Sequence, residues 1–447
     1  MIIRKIHVLS VALQMLLIAG VHAQDSATTA SPGIKWTLQQ CIDYAMQHNI
    51  QINNLRLNSQ SAGQDLAQSR AARQPDLNGS VGHSLTRGKI LDTNGVSYRA
   101  HIGFVGNYSL NSGIVLYNGN YVNNDIKQKG FLEQVANLDV VQTENDITLQ
   151  ITQAFLNILL ARENIVYLQD VVNTSDSQVR QQQLLYNAGS IARKDFVTFQ
   201  AQTATDRYNL VLGQNALRQN TLTLKQLLQL PVDTVFEANV PDSLTAQKMY
   251  PALDIAVNAA LQSRPEIKNG QLQVDIAQLE LEKSRAGLLP VLSGNGSLSS
   301  GYTNGSGAYF RQLDNNFFQQ VGLSLSIPIF NKRTVRTLIE KNKIVIAQNE
   351  YNLQNTKTIL SQAVEQAYIN VQNAENQYDA SVVTLSAAQE SYRITNEELK
   401  LGAISSVELL VQKNLYVQAL QSYIQAKYNT VLFIKIYEFY MGIPVTL

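Results

Sequence analysis

The chain has 447 residues and a formal net charge of +1, with one cysteine and five histidines. That balance excludes the basic footprint of a nucleic-acid binder and any strong field for steering a charged partner, and a lone cysteine excludes an intrachain disulfide or a thiolate metal cluster. Beyond the first two dozen residues nothing approaches the roughly 18 consecutive apolar residues of a spanning helix, so any membrane crossing falls to strands.

Residues 1–23 place Arg4 and Lys5 before an apolar run from Val8 to Val21 and end in Val21-His22-Ala23, the pattern of a secretory signal peptide. A membrane anchor is the lesser alternative, because the run is short. Without Arg4 and Lys5 the net charge is about −1. Residues 24–35, rich in Ser, Thr and Ala and closing on Pro32-Gly33, are expected to be a mobile leader. Thr37 with Gln40 has capping-box spacing and predicts a helix running to about Arg73, with Cys41 as a small buried apolar residue on it.

Pro75 ends that helix. Beyond it the sequence alternates as a β-hairpin over 77–117, with Ile102, Phe104, Tyr108, Leu110, Ile114 and Leu116 on one face and small uncharged residues on the other. A polar face of Ser, Asn and Gly suits the lumen of a membrane barrel better than the surface of a soluble sheet. Thr86–Tyr98 is expected as its loop. A helix without proline then runs over about 120–187, its apolar residues Ile147, Ile151, Phe155, Ile158 and Ile165 forming a coiled-coil-like seam. It turns near Gly189 and returns to Leu230.

These elements make a first repeat over 36–235, and a connector over 236–251 leads to a second over 252–447. The second restarts at Ala252, with Asp254 as the expected cap. It turns from helix to strand at Pro290, forms a hairpin over 291–330 with a loop over Thr303–Asn316, and runs a helix over about 333–400 with Leu353, Leu360, Val364, Tyr368 and Val371 on its seam. Its tip lies near Gly402 and its return helix reaches Ile443.

The duplication is legible in four matches in sequence order. Ser69-Arg70-Ala71-Ala72-Arg73-Gln74-Pro75-Asp76-Leu77 has a twin, about 215 residues on, in Ser284-Arg285-Ala286-Gly287-Leu288-Leu289-Pro290-Val291-Leu292. Gln153-Ala154-Phe155 matches Gln366-Ala367-Tyr368. Gly189-Ser190-Ile191 with Asp195 matches Gly402-Ala403-Ile404 with Glu408, and Leu230-Pro231-Val232 matches Ile443-Pro444-Val445.

No catalytic residue, cofactor or metal is expected. His48, His83 and His101 share no ligand spacing, and Gly294-Asn295-Gly296-Ser297 lacks the Lys-Ser/Thr of a phosphate loop and sits in an alternating strand. The cluster Arg193-Lys194-Asp195 reads as solvated charge, except that Asp195 and Glu408 occupy the same place after both tip glycines. In a symmetric assembly such acids form a ring suited to gating. Assembly is required, because four strands cannot close a barrel and bare strand edges cannot face lipid. The long helices, on the order of 100 Å at 1.5 Å per residue, must project from the membrane.

With Trp36-Thr37-Leu38-Gln39-Gln40-Cys41-Ile42-Asp43-Tyr44-Ala45, the paired helix-proline-strand junctions, the exits Leu116-Tyr117-Asn118-Gly119 and Ile329-Phe330-Asn331, and the glycine turns, the whole mature chain resembles the TolC family of outer-membrane efflux proteins. The resemblance implies a homotrimer in the outer membrane of a Gram-negative bacterium, its twelve-stranded β-barrel continuous with a periplasmic α-helical barrel. It implies a passive conduit for efflux or type I secretion, joined by a periplasmic adaptor protein to an inner-membrane pump. The tips over Leu185–Phe196 and Leu399–Leu410 would dock the adaptor, with Gly189, Ser190, Ile191, Gly402, Ala403 and Ser405 in contact, and Asp195, Glu408, Ile404 and Arg193 would form the aperture. Ile404, Leu399 and Val411 stand where some members carry arginine, tyrosine and a second acid, so Glu408 alone would supply that ring. The competing reading is a structural or adhesive coiled-coil stalk anchored in the outer membrane; a diffusion porin would have many more strands and few helices.

Overall fold

The computed structural model describes residues 35–91, 98–240, 250–304 and 307–446. The expected signal peptide and nearly all of the leader lie outside the described residues, as do residues 241–249 of the connector.

The capping box forms as expected: the Gln40 N–H donates to Thr37 Oγ1 at 3.2 Å and the Thr37 N–H donates to Gln40 Oε1 at 2.9 Å, starting helix α1 (Leu38–His48). That helix does not continue to Arg73. Asn49 takes an extended conformation and its Oδ1 accepts from the N–H groups of Gln51 and Ile52, so it ends α1 and caps α2 (Ile50–Ala71). No Gly or Pro announces this break.

The segment before them and part of the connector pair as two short parallel strands, β1 (Lys35–Trp36) and β4 (Glu237–Ala238), so residues 236–251 are not wholly irregular. In the second repeat Ala252, not Asp254, is the cap of α5 (Leu253–Ser263). Asp254 sits in the first turn, where a carboxylate favours the helix dipole. Arg264 is extended before Pro265, which opens α6 (Pro265–Ala286). Both repeats thus carry an 11-residue and a 22-residue helix end to end.

Four antiparallel strands come after the two junction prolines in the order β2-β3-β5-β6: β2 (Asn78–Leu91), β3 (Tyr98–Tyr117), β5 (Val291–Thr303) and β6 (Phe318–Ser326). The register sets Val81 opposite Tyr108, Leu110 opposite Leu298, Leu292 opposite Leu325 and Gly294 opposite Leu323, so one face is apolar across all four strands. Its reverse carries Ser80, Ser109, Asn111, Ser293, Asn295, Ser297, Gln320 and Ser324, because side chains alternate along a strand. Three expectations are corrected here. Thr86–Leu91 is strand rather than loop, since Thr86 pairs with Gly103 and the ladder continues to Leu91. The expected loop over Thr303–Asn316 contains helix α7 (Tyr309–Asn315). The second hairpin's last strand stops at Ser326, two residues before Pro328, which cannot donate to a ladder.

Each sheet half leads into a 67-residue helix, α3 (Tyr121–Asn187) or α8 (Thr334–Lys400). Left-handed residues at both exits, Gly119 and Asn120 or Lys332 and Arg333, turn the chain from strand to helix. At Gly119 a Cβ would lie 2.9 Å from Leu289 Cδ1 and 3.1 Å from Ala286 Cα, so the exit must be glycine to lie against the other repeat's junction.

The return helices are α4 (Arg193–Leu228) and α9 (Ser406–Tyr440). Ile147, Ile151, Phe155 and Ile158 are buried with Leu38, Ile42, Leu224 and Leu228, while Leu360, Val364 and Val371 are buried with Ala256, Ala260 and Tyr437. Ile165, Leu353 and Tyr368 are half-buried. Cys41 is fully buried and desolvation pushes its thiol up to about 12, which removes the thiolate needed for reactivity.

The twin serines share one task. Ser69 Oγ donates to Asp125 Oδ2 at 2.5 Å and Ser284 Oγ accepts from Asn342 Nδ2 at 2.6 Å, each docking a shorter helix on a long one. Around the first, Lys283 Nζ lies 2.9 Å from Asp125 Oδ1 and 3.1 Å from Glu280 Oε2, and it donates to Gln128 Oε1 at 2.8 Å.

Burial pushes the Asp125 carboxyl up, but the Ser69 hydroxyl and the Lys283 ammonium pull it further down, to a net position below the ordinary carboxylate range. Burial lowers Lys283, and Asp125 and Glu280 more than offset that. A depressed carboxylate stabilises the fold above its unfolded value near pH 4 and loses that contribution as pH falls through the folded value. The raised lysine contributes fully below its unfolded value near pH 10.4 and loses it above. Thermal melts of wild type and Asp125→Asn should therefore differ at pH 6 and converge as pH falls below about 4. A gap that stays constant from pH 6 to pH 3 would contradict this assignment.

Candidate gating and docking site at the hairpin tips

The two tips are built alike. Gly189 and Gly402 both have φ of +73°, and nothing lies within 4 Å of where a Cβ would sit, so glycine is required by backbone conformation and not by space. The Gly189 N–H donates to the Tyr186 carbonyl at 2.9 Å and the Ser190 N–H to the Leu185 carbonyl at 2.8 Å. Gly402 and Ala403 donate to Leu399 and Glu398, both at 3.0 Å. These are paired Schellman closures that satisfy the last carbonyls of α3 and α8.

Asp195 and Glu408 each stand third in the helix after the turn, where a carboxylate favours the helix N-terminus. Ser405 Oγ accepts from the Glu408 N–H at 3.3 Å. Arg193, Glu408, Gly189, Ser190, Gly402, Ala403 and Ser405 are exposed, while Asp195 and Ile191 are half-buried. Ile404 is half-buried. With Val179, Tyr392 and Leu399 it packs on an apolar cluster of Phe199, Leu409 and Leu410, which seats the two tips of the protomer against each other.

Sequence reasoning missed what lies farther up the helices from the tips. Lys413 Nζ of α9 is 2.7 Å from Asp206 Oδ2 of α4, with side chains only 3% and 5% exposed. Ser175 of α3 hydrogen-bonds to both. Gln202 Nε2 donates to Asp206 Oδ1 at 2.9 Å and to Asn414 Oδ1 at 3.2 Å. One ion pair and its hydrogen bonds thus join three helices and both hairpins.

Further along the same boundary, Tyr392 stacks on Tyr416 at 5.7 Å and accepts from Gln178 at 3.2 Å. Glu163 lies 3.0 Å from Lys427 Nζ and accepts from the Tyr428 hydroxyl at 2.7 Å. Burial pushes the Tyr392 hydroxyl above its ordinary value, while the Glu163–Lys427 pair is partly exposed. A signal existed for the triad. Phe196, Phe199, Thr203, Asp206, Leu210 and Gly213 succeed one another at alternating spacings of three and four, so Asp206 stands on α4's buried seam, where a charge must find a partner.

A sheet with one apolar and one small-polar face, carried on long helical hairpins closed by matched glycine turns, defines a channel protein of the outer membrane. The sequence profile described as "Outer membrane efflux protein" matches residues 41–229 and 256–432, and the chain belongs to that family. Among relatives, the outer membrane efflux protein BepC of Brucella suis is 21% identical over 424 residues, 94% of this chain and 88% of that protein. The pyoverdine export outer membrane protein OpmQ of Pseudomonas aeruginosa is 26% identical over 271 residues, 60% of this chain and about half (55%) of OpmQ. A crystal structure of CusC superposes with a TM-score of 0.80 at 17% identity, covering 91% of this chain and 92% of that one.

Proposed function

We propose that this protein is the passive outer-membrane conduit of a tripartite efflux or type I secretion system. Three copies close a twelve-stranded barrel over a periplasmic helical tunnel, and the tips open when a periplasmic adaptor and an inner-membrane pump engage them. The observation that carries this reading is the sheet itself. It offers lipid an apolar face but has two free edges, β2 and β6, and each bare backbone group in hydrocarbon costs several kcal/mol. Edge-to-edge closure by further copies removes that cost, and twelve strands exceed the roughly eight of the smallest barrels.

The Ser, Asn and Gln face then lines water. The acids Asp195 and Glu408 recur around the axis as candidate gating groups, and Leu184, Leu401 and Val407, exposed apolar residues near the tips, suit docking by an adaptor. The resemblance to OpmQ, named for pyoverdine export, supports an export role without naming this chain's cargo.

Electron microscopy of the detergent-purified protein tests the proposal. A three-fold hollow rod on the order of 140 Å long, combining the helical arm with a barrel of roughly 30 Å or more, is the expected result. A monomer, or a rod with a filled core, would instead favour the anchored stalk.

A further inference from the structure

We infer that the outer rim of the barrel's apolar face binds the phosphorylated headgroups of outer-leaflet glycolipid. The inference rests on the channel reading, which sets that face against lipid and places the strand-connecting ends, farthest from the long helices, at the outer surface.

Along β2 the apolar-face positions read Gly79, Val81, His83, Leu85, Arg87 and Lys89. Val81 and Leu85 are 72% and 69% exposed, bare to lipid. One strand step of two residues beyond Leu85, about 7 Å, the face turns cationic. Arg87 and Lys89 are exposed, and neither has an ion pair among the described residues. On β3 the face stays apolar at this height, with exposed Ile102 opposite Arg87, and unpaired cations beside the end of an apolar band suit a boundary between acyl chains and anionic headgroups.

Helix α7 strengthens the assignment, because it lies back over this same face and not away in solvent. The Tyr309 and Tyr108 hydroxyls are 2.8 Å apart, Ser300 Oγ donates to the Leu313 carbonyl at 2.6 Å, and Asn316 Nδ2 donates to the Gly301 carbonyl at 2.8 Å. Tyr309 also packs on Tyr302 at 5.0 Å, while His83 stacks on Phe104 at 5.5 Å. Gly106 makes room for that stack: a Cβ there would lie 3.0 Å from the His83 ring. The result is an aromatic cluster spread over the strand positions from Phe104 to Tyr108, the composition of an interfacial girdle.

The docked helix also presents Phe310, 82% exposed, and exposed Arg311. Asp314 is the helix's one carboxylate. Arg87 and Lys89 stand beyond the aromatic rings on β2, and Arg311 on the docked helix adds a further cation on the same face; guanidinium groups such as those of Arg87 and Arg311 match phosphate geometry. Edge pairing between copies uses the strand edges and leaves this face uncovered.

Native mass spectrometry of the full-length assembly tests the inference, with diphosphoryl lipid A and its dephosphorylated form as probes. Wild type should bind the phosphorylated form at least about tenfold more tightly, and Arg87→Gln/Lys89→Gln/Arg311→Gln should lose that preference. Equal binding of the two probes by wild type, or a preference unchanged in the triple variant, overturns it. The wild-type comparison needs no substitution, so a folding defect in the variant cannot mask the answer. Single-channel conductance is recorded in parallel: a conducting trimer without lipid preference sinks this inference alone, whereas absence of a conducting trimer sinks the channel reading.

Discussion

Replacing Lys413 by alanine is expected to lower stability by about 3–5 kcal/mol, because it strands the Asp206 carboxylate in a site from which water is excluded. Asp206 would keep its hydrogen bonds from Ser175 and Gln202 but lose the cation it pairs with among the described residues. The double variant Lys413→Met/Asp206→Leu removes both charges and fills the seam with apolar volume. It should recover most of the loss, since buried pairs exchanged for packed apolar side chains are often neutral or stabilising. Denaturant unfolding of the purified protein measures both. A single-variant loss under about 1 kcal/mol would mean the pair behaves as a solvated one.

The double variant also separates stability from fidelity. The ion pair ties the hairpin of α3 and α4 to that of α8 and α9, and a polar group at a seam position commonly fixes register. If it does so here, the double variant melts at or above wild type yet leaks small solutes in a vesicle-release assay. Unchanged leakage would show that the pair contributes only to folding.

Leu323→Arg is expected to prevent stable membrane insertion, at a cost of about 2–4 kcal/mol for a basic side chain near the bilayer midplane. Leu323 is 75% exposed on the apolar face in the middle of β6, opposite Gly294. Ser324→Arg, one residue along and on the reverse face, should insert normally and lower cation conductance by adding charge to the lumen. Heat-modifiable migration and bilayer recordings distinguish the two. Both variants inserting equally well would reverse or abolish the face assignment on which the barrel depends.

Much of this architecture was legible because it rests on periodicity. Alternation from Ile102 to Leu116, the three-four spacing from Ile147 to Ile158, and the glycines at both tips each stem from one local rule, and duplication confirmed each of them a second time. Breaks made by capping rather than by Gly or Pro were not legible: Asn49 divides α1 from α2 with a side-chain acceptor that looks, in sequence, like any polar helix residue. Helix α7 was hidden because it is held by tertiary hydrogen bonds to Ser300 and Gly301, not by its own seven residues.

The candidate site was half legible. The recurrence of Asp195 and Glu408 was visible, whereas the half-buried packing of Ile404 against the protomer's tip cluster was not. The Ser175–Asp206–Lys413 triad joins Lys413 to residues more than 200 positions away, and no local pattern reports such a meeting, although Asp206 stood on a buried seam.

The sheet's two edges are unequal: β2 has 14 residues and β6 only nine. Wherever one copy meets the next, the shorter strand limits the ladder, so each seam between subunits is held by less backbone pairing than the hairpin of β2 and β3 within one. A solitary protomer in lipid has neither edge satisfied, which makes insertion and association a single equilibrium governed by mass action. Folded channel should therefore accumulate with roughly the third power of protomer concentration at low expression, and the cell's supply of this chain, more than its intrinsic stability, would set how many open routes its envelope contains.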